Sequence, residues 1–368
     1  MTWWLLFTLT ALAILWPLLP AISEWARPTD TQPLQIDSCN TLDPPCLART
    51  FALRLGTALA SGETQLGSSA LAHAPARGHW PLDAKEQNTG TSARVWHAPG
   101  DAHLPAGLHF LAEVAAQGAL HTSGGIYRAL WAGQLLQLTP GTQVLRWAHG
   151  TRVEVGQGCH LVGRVSAQEC IRVGGGTSFT LLHAPMVRFL PEAAQRLIEP
   201  TIVARMGLPQ AVAWDAATSR GVCESALQVA PHTTWRGDLV CRNTLLLGQG
   251  CNAHGSLKAQ GDLVLGADTS VTGSVVAQGR LTLKAGCKVR GLVVSETAIV
   301  IECACVIGTP EHPATVTAPR IQVAPGVLVF GTLWATAHGL TEDLSMALSP
   351  AHTEASHSFG QLANEALA

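Results

Sequence analysis

Between Gly237 and Gly308 the chain repeats itself with a period of eighteen, without slippage. Gly237, Gly255, Gly273 and Gly291 open four units. Apolar residues stand two positions on (Leu239, Leu257, Val275, Val293) and eight on (Leu245, Leu263, Leu281, Ile299). They recur ten on (Leu247, Leu265, Leu283, Ile301) and sixteen on (Ala253, Val271, Val289, Ile307). A fixed short period of alternating apolar runs, broken by glycine corners, is the pattern of a β-solenoid. One unit cannot bury its own inner face, so a core exists only where units stack. The reading is an all-β chain with a structural or polymeric role before a catalytic one.

The period reaches beyond the perfect block. Leu227, Val229, Thr233 and Trp235 fill the same columns one unit earlier. After Ile307 the register jumps by four across 309–313, then resumes at Ile321, Val323, Val327 and Val329. A looser block lies upstream, in Leu136, Leu138 and Val144, then Val153, Val155 and Leu161, then Ile171, Val173 and Phe179. The expected organisation is a transmembrane anchor over 1–25 and a linker with a short helix over 26–93. An N-terminal solenoid block follows over 94–185, and an insertion or hinge over 186–218. A C-terminal β-helix over 219–335 and a flexible tail over 336–368 complete it. Within the insertion, residues 191–198 read as a short helix closed by Pro200. A lateral insertion in one continuous solenoid is favoured over a hinge, because both blocks share one coil pattern.

Stacking places residues one unit apart about 4.8 Å from each other. Asp262 then lies under Arg280, and Lys284 under Glu302, as ladders of opposite charge. Such surface pairs contribute a few tenths of a kcal/mol each. Cys159, Cys251, Cys287 and Cys305 share one inward column with Thr177, Thr233 and Thr269. That mixture suits a small, buried, weakly polar position. A disulfide between Cys287 and Cys305 is the functional alternative, and a reducing compartment argues against it.

The segment from Trp3 to Ile22 is almost wholly apolar and long enough to span a bilayer as a helix. Trp3, Trp4, Leu5, Leu6, Leu12, Ile14, Leu15 and Trp16 form the expected membrane anchor. A cleaved signal peptide requires a basic region ahead of the apolar run, and no Lys or Arg stands there. Arg27, Arg49 and Arg54 follow it, which places the body in the cytoplasm. The expected location is single-pass in the inner (cytoplasmic) membrane. Leu47, Phe51, Leu55 and Leu59 recur every four positions and predict a short packing helix.

Chemistry is sparse. Only 13% of residues are charged and the formal net charge is −2, and nothing in this points to a nucleic-acid surface. The fifteen histidines form no zincin pattern, and no nucleophile elbow or phosphate-binding P-loop occurs. Gly174-Gly175-Gly176 follows a strand but no helix follows it. The sequence offers no catalytic, cofactor-binding or metal-ligating residues, so neither an enzyme nor a cofactor is expected.

The coils Gly255-Ser-Leu-Lys-Ala-Gln-Gly-Asp-Leu-Val-Leu265 and Gly273-Ser-Val-Val-Ala-Gln-Gly-Arg-Leu-Thr-Leu283, with Gly291-Leu-Val-Val294, resemble the bactofilins, polymer-forming cytoskeletal proteins of bacteria. The resemblance covers about a third of the chain well. It implies a right-handed parallel β-helix that assembles end to end without nucleotide, often at the membrane, and scaffolds envelope and cell-wall proteins. The chain departs from the family in its second solenoid block and its apolar N-terminus. Self-association is expected at the terminal coil, Val327, Leu328, Val329 and Phe330, because a solenoid end leaves backbone groups and core unpaired. Two alternatives stay open. One is an acyltransferase built on six-residue faces, as in the hexapeptide enzymes. The other is a β-helical protein that binds envelope glycan.

Overall fold

The computed structural model describes residues 2–16, 43–75, 80–191, 205–206, 208–209 and 212–342. Nearly all of the expected helix over 191–198, the tail beyond 342 and residues 17–42, where the expected anchor passes into the linker, fall outside them. Two units are distinct, residues 1–43 and 44–368.

In the first unit, helix α1 runs from Thr2 to Leu15, 14 residues. At 1.5 Å per residue it is about 21 Å long, short of the ~30 Å hydrocarbon core. Among the described residues no helix is long and apolar enough to cross a membrane. This corrects the expected transmembrane helix and the single-pass placement in the inner membrane. Trp3, Trp4, Leu5, Leu6, Leu12, Ile14 and Leu15 lie on α1 and Trp16 directly follows it. Pro17 comes next, a residue that supplies no amide to a continuing helix.

The second unit is a β-solenoid. In the regular region each coil carries three short parallel strands, such as Asp238–Cys241, Leu245–Leu247 and Asn252–His254. Each pairs with its equivalent on the next coil, Leu239 with Leu257, Leu245 with Leu263 and Ala253 with Val271. Alternation sends six side chains per coil inward. Leu239, Cys241, Leu245, Leu247, Cys251 and Ala253 are all buried. The four-position jump after Ile307 is a tight turn closed by reciprocal Thr309 and His312 backbone bonds. Beyond it, Ile299 pairs with Ile321 in unbroken register.

The upstream block is a second stack of the same kind. Phe110, Tyr127, Val144, Leu161 and Phe179 form one inward column, paired strand to strand. The first three steps along it are each one position shorter than the regular period, and the last equals it. The strands also carry bulges, so the linear pattern blurs although the stacking does not. The stack already begins within 69–98, where Ser69–His73 pairs in parallel with Val95–Ala98.

Two short helices dress this first stack. Helix α2, Cys46–Ser61, buries Ala48, Phe51, Leu55 and Ala58. Gly62 ends it in the left-handed conformation, with its amide on the Ala58 and Leu59 carbonyls. The apolar stripe packs on the outside of the coils, where the rings of Phe51 and Trp147 lie 5.3 Å apart. Helix α3, Ala84–Thr89, starts with a capping box between Asp83 and Glu86. Glu86 is buried and also bonds Ser92 and Arg94. Burial alone would raise its carboxyl. The Arg94, Ser92 and Asp83 bonds outweigh that and hold it below the usual carboxylate range. Beside this helix, Trp80, Trp96, Phe110 and Tyr127 plug the first end of the stack with rings 4.9 to 5.7 Å apart.

Candidate functional site: the joint between the stacks

The last strand of the first stack, Ser178–Phe189, pairs on its free edge with the last strand of the second stack, Leu328–Thr341. Neighbouring coils within each stack pair in parallel. This contact is antiparallel, so the stacks meet tail to tail. All three faces of the coil continue through it. Leu182 pairs with Leu333, Val187 with Val329, and Phe179 with Gly339. The column Val114, Leu130, Ala148, Val165, Leu182 therefore runs on as Leu333, Val316, Val293. The two blocks are one continuous stack with one core.

The joint satisfies its own polar groups. At one corner the Thr341 hydroxyl accepts from the Thr177 amide at 2.8 Å and donates to the Gly174 carbonyl at 3.0 Å. The Thr341 amide bonds the Thr177 carbonyl, and the Gly176 amide bonds the Thr341 carbonyl. At another, the Phe189 amide meets the Val327 carbonyl and the Gly326 amide meets the Phe189 carbonyl. On the outer surface His183 Nδ1 lies 2.8 Å from Thr332 Oγ1. One coil pair earlier, His149 Nδ1 lies 2.8 Å from Ser166 Oγ. His149 is buried, and burial, with Arg49 nearby, pushes its imidazole below the ordinary histidine range.

The residues expected at a bare terminal coil sit in this joint. Val327 and Val329 are buried, and Leu328 and Phe330 are half-buried. Leu328 is paired with Arg188 on one side and Val306 on the other, and Val329 with Val187 and Ile307. The coil edge is thus occupied within the chain. Sequence reading missed the partners Thr177, Phe179, Leu182 and Thr341. The buried parity at Gly339 and Thr341 continues the strand past Ala335, but a glycine and a threonine leave no apolar mark.

The inward cysteine column has a bonding role. Cys251, Cys287 and Cys305 Sγ point at the Ala230, Gly266 and Lys284 carbonyls at 3.2 to 3.3 Å. Thr177 and Thr269 bond the corresponding carbonyls of Gly156 and Gly248. Each short donor satisfies a corner carbonyl of the coil beneath, which a purely apolar residue would leave less well bonded. Cys287 and Cys305 are free thiols. Of the two ladders expected from stacking, Lys284 Nζ does reach Glu302 Oε1, at 2.7 Å. Asp262 Oδ1 instead accepts from the Arg280 backbone amide at 2.7 Å.

The far end of the second stack is closed by a hairpin. Ala213–Asp215 pairs antiparallel with Arg220–Cys223, and Val212 and Trp214 lie over Gly221. Trp214 stays 44% exposed. It lines an apolar cleft of about 450 Å3 with Leu208, Pro209, Val212 and Trp235.

No protein-family model, curated protein or solved structure matches this chain.

Proposed function

We propose that this chain is a structural scaffold, a rigid β-solenoid rod that self-associates end to end, as its bactofilin resemblance implies. The observation that carries the reading is the joint. The two stacks are united through backbone pairing of their last coils, with the core continuous across the contact. Coil ends of this sequence are therefore built to be covered by other coil ends. An acyltransferase of the hexapeptide kind shares the six-residue faces, and saturable binding of acyl-CoA would favour that reading instead.

With the tails engaged in cis, growth beyond one molecule falls to the outer ends. The end of the second stack is the better candidate. Its edge strand Ala213–Asp215 is exposed throughout and, among the described residues, pairs only with Arg220–Cys223. An exposed edge beside an exposed tryptophan promotes association. Negative-stain electron microscopy of the full chain, under reducing conditions without nucleotide, tests the reading. Rods one solenoid wide and longer than a single molecule, lost in Trp214→Glu, are expected. Particles of single-molecule length at all concentrations would overturn it.

A further inference from the structure

Charged columns on this stack pair opposites. Besides Lys284 and Glu302, Arg172 lies 3.4 Å from Glu154 and Arg242 lies 3.2 Å from Glu224, each one coil apart. One column near the joint departs from this. Arg280, Ala298, Arg320 and His338 follow one another on successive coils. Among the described residues neither Arg280 nor Arg320 makes an ion pair. Asp262, the carboxylate beneath Arg280, turns Oδ1 to the backbone amide. Glu342 accepts from the Gln322 side chain at 2.9 Å. Arg280 and Arg320 thus flank Ala298 with no carboxylate between them.

Ala298 stands where a long side chain would fill the space between the two arginines. The result is a cleft of about 280 Å3 whose lining includes Arg280, Ala298, Arg320, Gln322 and His338. Val300 and Leu340 supply an apolar wall. Two coil steps separate the arginines, roughly 10 Å along the stack, a gap that two guanidinium groups can close on from opposite sides.

We propose that this cleft binds a phosphate group carried on a small organic body. A planar carboxylate is satisfied by one arginine fork. Donors arriving from three different coils instead suit a tetrahedral oxyanion, whose oxygens point in several directions. The apolar wall accommodates the ester's organic part. The site is independent of the end-to-end reading and survives if filaments do not form.

The test is calorimetric titration of the full chain with inorganic phosphate and phenyl phosphate. It is paired with co-sedimentation on phosphatidylcholine vesicles carrying phosphatidic acid. Saturable phenyl phosphate binding, weakened about tenfold by Arg280→Gln and again by Arg320→Gln, is expected. Ala298→Leu keeps both charges but fills the gap, and should abolish binding. Binding to phenyl phosphate alone identifies a soluble ester as the source. Arginine-dependent binding to the vesicles identifies a lipid headgroup. Both arginines are exposed, so the variants should fold, and an unchanged circular dichroism spectrum checks this. No binding of any probe, or binding that Ala298→Leu leaves intact, overturns the proposal.

Discussion

The ring of Phe179, from the first stack, occupies the space that a side chain on Gly339, from the second, would need. A Cβ built on Gly339 would fall 2.5 Å from Phe179 Cε2. Phe179 is 1% exposed, so its ring has little room to retreat. Gly339→Ala is expected to cost ~1–3 kcal/mol, as overpacking of a filled core does. Phe179→Leu should relieve part of it, so the double variant should lose less than the sum of the singles. Urea unfolding of the four proteins of this cycle checks the coupling. Additive losses would mean that the two residues do not meet.

The Thr341 hydroxyl is the polar counterpart of that contact. It joins the Thr177 amide to the Gly174 carbonyl inside the joint, with Thr341 3% exposed. Thr341→Val keeps the shape and removes the hydroxyl's bonds, including its longer contact with the Thr177 carbonyl. It should cost about 1–3 kcal/mol, the penalty for leaving a buried donor unmet. The Thr177 amide should also exchange its hydrogen faster, while amides in the regular coils, such as Leu263, should not change. Uniform acceleration would indicate global loosening and remove the local explanation.

The regular coils were legible because each of their positions repeats without slippage, as Leu245, Leu263 and Leu281 do. The first stack was less so. Its column Phe110, Tyr127, Val144, Leu161 advances one position short of the regular period and its strands bulge, which shifts a linear template while leaving the stacking intact. The joint was illegible for a different reason. It pairs residues far apart in the chain and in antiparallel sense, Ser178 with Leu340 and Val187 with Val329, and no period links them. The apolar run from Trp3 to Ile22 misled because hydropathy counts residues, whereas a span requires one uninterrupted helix, and α1 stops at Leu15.

Acid should loosen the first stack. Burial pushes the His149 imidazole below its ordinary range, with Arg49 from α2 and His183 adding like charge. Burial does the same to His97, with His73 beside it. The unfolded chain takes up these protons near pH 6.5, whereas the folded chain refuses them until lower pH. The stability linked to both groups is therefore complete above about pH 6.5 and falls as pH drops toward their depressed values. The slope reaches at most about 1.4 kcal/mol per pH unit for each histidine. Urea midpoints between about pH 7.5 and 5 should decline, and His149→Gln should flatten the decline. An unchanged slope in that variant would assign the effect to other groups.

The inward column makes a chemical prediction about the cysteines. Cys305 is fully buried, and the neighbouring Cys287 thiol together with burial pushes its own thiol up. Burial likewise raises Cys159, Cys241 and Cys251. Thiols held protonated and out of solvent are poor nucleophiles. In the native protein, Ellman's reagent should therefore react at the exposed Cys303 and reach these four only on unfolding. Threonine already occupies the same column at 177, 233 and 269, so Cys305→Thr should change stability by less than about 1.5 kcal/mol. Cys305→Val leaves the Lys284 carbonyl with only the long Cys287 amide bond of 3.3 Å. It should be about 1 kcal/mol less stable than the threonine variant. Equal stability of the two variants would mean that the column selects for size alone, and that the bonds from sulfur to the corner carbonyls contribute nothing to the stack.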